Sequence, residues 1–129
     1  PACAIIKHTN PCGCAEGATV AEAYRKAYEA DTVSAFGGVL AFNRELDAEA
    51  AGEISKLFVE AIAAPDFTAE ALEILGAKKN LRLLRVHPSA DPLVTKSISG
   101  GYLVQTADLH RLDRSECVVK TDRAPSEEE

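Results

Sequence analysis

The chain has 129 residues, of which 47% are hydrophobic and 26% are charged. This length suits one domain with a sizeable core, and the composition is that of a globular chain and not of a disordered one. A formal net charge of −6 argues against a general nucleic-acid binder, whose contact surface is basic. No apolar run reaches the length of a membrane span and no signal peptide is recognisable, so we expect no membrane partner and a cytoplasmic location.

Strands and helices alternate along the first half of the chain. The apolar run over residues 2–8 predicts a buried strand, and the TNPCGC segment that follows has the composition of a turn. A capping box begins a helix predicted over about 19–30. Two consecutive glycines then lead into a strand predicted over about 38–43.

The same alternation continues in the second half. Asp47 is placed to cap a second helix, and Thr68 a third. The apolar stripe of the second helix is predicted to be Ala51, Ile54, Leu57, Phe58 and Ala61. Between these helices AIAAPDF predicts a strand, and NLRLLRV and GGYLVQT predict two more, separated by a polar loop over 87–99.

This order of elements, β-α-β-α-β-α-β-β, predicts an α/β fold. A mostly parallel sheet covered by helices on both faces would form a three-layer α/β/α sandwich. We assign this unit to residues 1–110, and a polar tail that leads into a truncated helix to residues 111–129. Ser126 and Glu129 form a capping box, which marks the start of a helix, but Glu129 is the last residue of the sequence. The sequence also contains no methionine. We therefore expect a piece of a longer protein.

Lys7 and His8 stand where the first strand ends. Consecutive side chains of a strand point to opposite sides, but a turn begun by Asn10 and Pro11 could bring both into one pocket. Open α/β sheets bind ligands beyond the carboxyl ends of their strands, and this is such an end. The neighbouring lysine disfavours protonation of the histidine, which leaves it available as a base near neutral pH. The alternative is a solvated lysine next to a capping histidine.

The cysteines offer two further alternatives. His8, Cys12 and Cys14 could be zinc ligands, but Cys-x-Cys is not one of the usual structural zinc spacings. It is not the Cys-x-x-Cys of a redox pair either. We therefore expect reduced cysteines and no metal.

Five blocks of the sequence resemble, in order, the transformylase domain of the bifunctional purine biosynthesis enzymes: PACAIIKHTNPCGCA, DTVSAFGGVLAFNRELD, FVEAIAAPDFTAEALEIL, KKNLRLL and SISGGYLVQTAD. The resemblance implies a cytidine-deaminase-like α/β fold without zinc. It implies transfer of the formyl group of 10-formyltetrahydrofolate to the amine of aminoimidazole carboxamide ribonucleotide (AICAR), before a second domain, the IMP cyclohydrolase, closes the ring to inosinate. It also implies a homodimer whose active sites draw on both subunits.

The resemblance also assigns roles to individual residues. The catalytic Lys-His pair of the family maps onto Lys7 and His8. Positions that contact the substrate map onto Asn10, Phe36, Gly37 and Glu60. The cyclohydrolase domain and the second half of the transformylase domain, which supplies groups for phosphate and folate, have no counterpart in this chain. We therefore expect part of a formyltransferase that is inactive by itself; the alternative is a non-catalytic α/β module for folding or self-association.

Overall fold

The computed structural model describes residues 1–87, 93–109 and 113–128. The chain divides into two compact units, Pro1–Pro88 and Ser89–Glu129. The first unit contains a five-stranded sheet and three helices, and the second contains a two-stranded hairpin. No helix in the described ranges combines the length and the apolar character needed to cross a membrane. The separation of residues 1–110 from a tail over 111–129 stays a prediction.

The first unit is built on one mixed sheet with the strand order β2-β1-β3-β4-β5. Its strands are β1 (Ala2–Lys7), β2 (Asn10–Glu16), β3 (Gly38–Phe42), β4 (Val59–Ala64) and β5 (Arg82–Arg85). β1 runs antiparallel to both β2 and β3, whereas β3, β4 and β5 are parallel neighbours. Four strands therefore point one way and β1 the other, which confirms an α/β fold with a mostly parallel sheet.

Three helices connect the strands, and their first residues follow the predicted capping rules. They are α1 (Val20–Ala30), α2 (Ala48–Ile54) and α3 (Ala69–Gly76). The side chains of Thr19, Asp47 and Thr68 each accept a hydrogen bond from the backbone N–H three residues further on. Each cap satisfies an N–H that has no partner inside the helix, so these predicted helix starts are confirmed.

The core lies between the helices and one face of the sheet. The strands contribute the buried side chains Cys3, Ile5, Leu40, Phe42, Val59, Ile62 and Ala64. The opposite face is open: Val39 is 41% exposed and Leu84 is 45% exposed. The first unit by itself therefore forms two layers, one of helices and one of sheet, and the three-layer sandwich stays a prediction.

The prediction that TNPCGC forms a turn is wrong, because most of this segment belongs to β2. β2 is an edge strand, where a proline costs no hydrogen bond of a central ladder. Gly13 lies directly beneath α1, since a Cβ atom at this position would be only 1.9 Å from the carbonyl oxygen of Ala27. Pro and Gly stand here for reasons of edge position and close packing, which local composition does not reveal.

The apolar stripe predicted for the second helix is also partly wrong. α2 ends at Ile54, and the backbone N–H of Leu57 turns back to the carbonyl of Ile54 at 3.0 Å. Phe58 therefore lies between the helix and β4, where its ring is 45% exposed, and Ala61 belongs to β4. The tight final turn makes the helix shorter than its periodicity suggests.

The second unit corrects the loop predicted over 87–99. Strand β6 (Leu93–Ile98) pairs antiparallel with β7 (Gly101–Thr106). Gly100 has a φ of 83° in the turn between them, so the Gly-Gly pair closes a hairpin. Residues 88–92 of the predicted loop and Glu129 of the predicted capping box lie outside the described residues. In the tail, Arg114–Glu116 form a short 3-10 helix.

Candidate active site

A tight turn at the end of β1 carries His8. Lys7 pairs with Asn10 across the β1–β2 hairpin, so His8 and Thr9 are the two central residues of the turn. Their φ angles are 52° and 66°, and positive φ at both positions characterises a type I′ turn. Asn and Gly are the usual residues there, whereas a β-branched threonine is strained in this region. Such strain persists only where the surroundings hold it, and it is concentrated at functional sites.

Two side chains hold this turn through the carbonyl oxygen of His8. The amide Nδ2 of Asn10 donates to it at 3.1 Å, and the hydroxyl Oγ1 of Thr9 donates at 2.6 Å. Asn10 therefore supports the backbone of His8. The turn lies two positions earlier than the predicted Asn10–Pro11 turn, because Asn10 and Pro11 both belong to β2.

Lys7 and His8 line the same open cleft of about 370 Å³. The cleft is completed by Asn10, Pro11, Cys12, Asp31 and Ser34. β1 and β2 supply one wall, and the segment between α1 and β3 supplies the other. Consecutive side chains within a strand would point to opposite sides of the sheet, whereas the turn brings Lys7 and His8 to one cavity.

The Lys7 ammonium is fixed by the loop over residues 31–37. Its Nζ donates a hydrogen bond of 2.9 Å to the carbonyl oxygen of Phe36. The next residue, Gly37, has a φ of 73°, which favours glycine, and its N–H donates to the carbonyl of Phe58 at 2.8 Å. The loop is therefore attached on one side to β1 and on the other to the segment that enters β4.

Two half-exposed aromatic rings adjoin this loop. The rings of Phe36 and Phe58 lie with their centroids 5.2 Å apart and their planes tilted by 43°. Phe58 was missed as a candidate because the periodicity placed it in the core face of a helix. Both phenylalanines stand just before neighbouring parallel strands, and that shared position is a signal in the sequence that could have paired them.

The position of this site in the sheet differs from the expected one. Lys7 is at the carboxyl end of β1, but β1 runs against its neighbours, and Ile6 pairs with Val39 near the start of β3. The cleft therefore lies at the amino ends of β2 and β3. The rule that ligands bind beyond the carboxyl ends of parallel strands therefore does not explain this site, because an antiparallel strand creates it.

Two irregularities in the sheet occur beside this edge. The β1–β2 register shifts between Ile5 and Ile6, which leaves Cys12 without a Cα partner, and Cys12 lines the cleft. The β3–β4 register shifts between Gly38 and Val39, which leaves Glu60 without a Cα partner on β3. Bulges of this kind redirect side chains near active sites.

A sequence model of the family described as "AICARFT/IMPCHase bienzyme" matches residues 1–129, the whole of this chain. The chain belongs to that family. Three relatives, each a "Bifunctional purine biosynthesis protein PurH", are similar over 99–100% of the chain. Identity is 58% with the protein of Chelativorans sp. (strain BNC1), 55% with that of Parvibaculum lavamentivorans and 52% with that of Neisseria meningitidis serogroup C. The chain spans about a quarter, 25%, of the length of each of these relatives.

The residues that resemblance to the AICARFT/IMPCHase family singled out fall into three groups in this structure. Lys7, His8 and Asn10 share the cleft. Phe36 and Gly37 adjoin it through the hydrogen bond from Lys7. Glu60 is not among the residues that line the cleft, and its Oε2 forms an exposed ion pair with Nη1 of Arg82 at 3.2 Å.

The cysteine alternatives find no support in the described residues. No three His, Cys, Asp or Glu side chains converge there on a possible metal position. All four cysteines are free thiols, and Cys14 is exposed on β2. Burial raises the pKa of the Cys3 thiol to about 12, with a smaller contribution from Cys14, so Cys3 is an unreactive core residue.

Proposed function

We propose that this chain is part of a longer protein, hereafter the full-length protein, that transfers the formyl group of 10-formyltetrahydrofolate to the amine of AICAR. The observation that carries the proposal is the convergence of Lys7 and His8 in one cleft, in a chain of the AICARFT/IMPCHase family. The parts of this proposal are the roles of the cleft residues, the co-substrate, a homodimer and a cytoplasmic location.

The chemistry requires a base. The amine of AICAR is conjugated with a ring that bears a carboxamide, so it is a weak nucleophile. His8, exposed at the tip of the turn, removes a proton from this amine as its nitrogen attacks the formyl carbon. The tetrahedral intermediate then collapses: the bond from carbon to the folate nitrogen breaks, and that nitrogen takes a proton to give tetrahydrofolate.

Lys7 stabilises the oxyanion of this intermediate. An ammonium group has three N–H donors, and in this structure Phe36 occupies one of them. The remaining donors face developing negative charge without first having to be oriented, which is how preorganised donors lower a barrier. The same ammonium is suited to protonate the departing folate nitrogen.

The loop and the bulge supply the substrate contacts. The exposed ring of Phe36 offers a flat apolar surface for the imidazole ring of AICAR, with Gly37 allowing close approach beside it. Glu60 and Asn10 are proposed as polar contacts. Because Glu60 is paired with Arg82, binding through its carboxylate requires the substrate to share or replace this exposed ion pair.

We also propose that the full-length protein completes the cytidine-deaminase-like three-layer sandwich. The open sheet face carries the exposed apolar side chains Val39 and Leu84, and such a face is covered in an α/β sandwich. The same open face favours the second candidate function, a non-catalytic module for folding or self-association, because exposed apolar patches promote association.

The test is an assay of the purified full-length protein with AICAR and 10-formyltetrahydrofolate, in which release of tetrahydrofolate is followed. We expect turnover that requires both substrates and survives treatment with a chelator. Two further samples, each without one substrate, are the controls. An intact, folded protein that releases no tetrahydrofolate above these controls would leave the module as the function of this chain.

A further inference from the structure

Asp31 lies in the cleft although nothing in the sequence marked it as a functional residue. It is the residue directly after α1, and it lines the cleft together with Lys7 and His8. Its Oδ1 accepts two hydrogen bonds, from the backbone N–H of Ser34 at 2.8 Å and from that of Val33 at 3.1 Å. Its backbone carbonyl accepts a third, from the N–H of Ala35 at 3.2 Å. Asp31 thus fixes the first half of the 31–37 loop.

The second half of this loop is the part that contacts Lys7. The carbonyl of Phe36, which accepts the Lys7 ammonium, is two residues beyond the N–H of Ser34 that Asp31 holds. The position of the ammonium therefore depends on a loop that begins with the Asp31 carboxylate. Hydrogen bonds from Ser34 lower the pKa of Asp31. A hydrogen bond from Val33 and the positive charge of Lys7 lower it to a smaller degree, so Asp31 is ionised at neutral pH.

We propose that Asp31 is a positioning residue for formyl transfer, which acts by fixing the loop that holds the Lys7 ammonium and presents Phe36. This inference rests on the proposed function of the Lys7–His8 cleft. Asp31 does not need to touch either substrate. Its contribution is that Lys7 and Phe36 keep their relative positions while the substrates bind and react, and a misplacement of about 1 Å can cost about a hundredfold in rate.

An aspartate elsewhere in the chain offers a matched control. Asp47 precedes α2, and its Oδ1 accepts the N–H of Ala50, three residues further on, at 2.9 Å, as Oδ1 of Asp31 accepts that of Ser34. Asp47 does not line the cleft. Loss of either carboxylate removes backbone hydrogen bonds of similar geometry, so the two sites separate a general loss of stability from a specific effect on the cleft.

The experiment compares Asp31→Ala and Asp31→Asn with Asp47→Ala and Asp47→Asn in the full-length protein. For each variant, kcat, the KM for AICAR and the melting temperature are measured. We expect Asp31→Ala to lower kcat/KM by about tenfold to a hundredfold, through both kcat and KM. Asp31→Asn keeps an oxygen acceptor for the two N–H groups, so it should recover kcat/KM to within about threefold of the unchanged protein. Asp47→Ala should lower only the melting temperature, and Asp47→Asn, which keeps the acceptor, should leave both kcat/KM and the melting temperature nearly unchanged.

The results that overturn the proposal differ from those that overturn the proposed function. If the unchanged protein transfers formyl groups and Asp31→Ala keeps kcat/KM within about twofold, Asp31 is an ordinary turn residue. An equal loss in Asp31→Ala and Asp47→Ala, in proportion to melting temperature, has the same meaning. If Asp31→Asn is as impaired as Asp31→Ala, fixing the loop through this acceptor is not its role. Absence of turnover in the unchanged protein overturns the proposed function itself.

Discussion

At the scale of single residues, His8 owes its position to an unusual backbone. A base that must reach a substrate is displayed well at the tip of a two-residue turn, but it also needs a fixed orientation. Asn10 and Thr9 supply it through the carbonyl of His8, and the hairpin register supplies the rest. The cost is a threonine with a φ of 66°. Strain is thus placed beside the group whose geometry matters for catalysis.

This strain can be measured with two substitutions at one position. Thr9→Gly and Thr9→Ala both remove the hydroxyl, but only glycine adopts a positive φ without steric cost. We expect Thr9→Gly to be more stable than Thr9→Ala by about 1 kcal/mol in the free energy of unfolding by urea. Equal stabilities would show that residue 9 is not held in the left-handed region.

Two buried acids predict how stability responds to alkaline pH. Burial raises the pKa of the Cys3 thiol from 9.0 to about 12, and burial, then the nearby Tyr28, raises that of the Tyr24 hydroxyl from 10.0 to about 12. Above pH 9 the unfolded chain loses these protons while the folded chain retains them. Stability contributed by these groups is therefore complete below pH 9 and falls as pH rises from there, by at most about 1.4 kcal/mol per pH unit for each group.

The measurement is urea unfolding at pH 8 and pH 10. We expect Cys3→Ala to lose less stability between these two pH values than the unchanged chain does. Cys117→Ala is the control, because Cys117 is exposed and is not among the groups that raise the pKa of Cys3, so it should leave the pH dependence as it was. A pH dependence that Cys3→Ala does not reduce would contradict the assignment.

At the scale of elements, two glycines that look alike in the sequence have opposite roles. A Cβ atom on Gly13 of β2 would lie 1.9 Å from the carbonyl oxygen of Ala27, whereas one on Gly52 of α2 would meet nothing within 4 Å. We expect Gly13→Ala to lower the free energy of unfolding by more than about 2 kcal/mol, because α1 must move away from the sheet. Gly52→Ala should raise it by about 0.5–1 kcal/mol, since alanine favours a helix.

Both values come from the same unfolding measurement, so each variant is a control for the other. If Gly13→Ala were as stable as the unchanged chain, β2 would not pack directly beneath α1. A loss in Gly52→Ala would mean that the position is not a helical one with free space for a Cβ atom.

At this scale the sequence predicts well those features that depend on residues close together in the chain. The caps at Thr19, Asp47 and Thr68 depend on residues three positions apart, and all three are confirmed. The errors concern pairings between distant segments. β2 and β6 are strands because of the strands beside them, and Phe58 leaves its helix because a turn and β4 follow. Composition and periodicity do not encode such partners.

The site shows the same division between local and distant information. Resemblance pointed to Lys7, His8 and Phe36, and the structure connects Lys7 to Phe36 directly. Asp31 could not be selected, because its importance comes from the loop that it shares with these residues, and an aspartate in a turn is ordinary in itself. Phe58 could be found only by its position before a strand, which it shares with Phe36, since a phenylalanine after a helix is equally ordinary.

At the scale of the whole molecule, the first unit has helices on one face of its sheet, and its cleft of Lys7 and His8 is open. Catalysis of formyl transfer requires two substrates to be held in register, which contributes roughly 7–11 kcal/mol in favourable cases. The chain spans about a quarter of its relatives' length, and we propose that it carries the base and the ammonium whereas most groups for phosphate and folate lie elsewhere in the full-length protein.

We therefore expect the purified 129-residue chain to fold without catalysing the reaction. Its core of alternating strand and helix residues supports folding, which circular dichroism and cooperative unfolding would show. Release of tetrahydrofolate from AICAR and 10-formyltetrahydrofolate should stay at background. Turnover within about tenfold of that of the full-length protein would show that the cleft needs no other part of the polypeptide.

The most direct measurement is the kcat for formyl transfer of the full-length protein with His8→Ala. His87→Ala is the matched control, because His87 is an exposed histidine just past the carboxyl end of β5, away from the amino ends where the cleft lies. A general base contributes about 10²–10⁴-fold, so His8→Ala should lower kcat by this factor while AICAR still binds and the melting temperature is unchanged. His87→Ala should be as active as the unchanged protein. A loss below about tenfold in His8→Ala, in a protein that does transfer formyl groups, would contradict the assignment of His8 as the base.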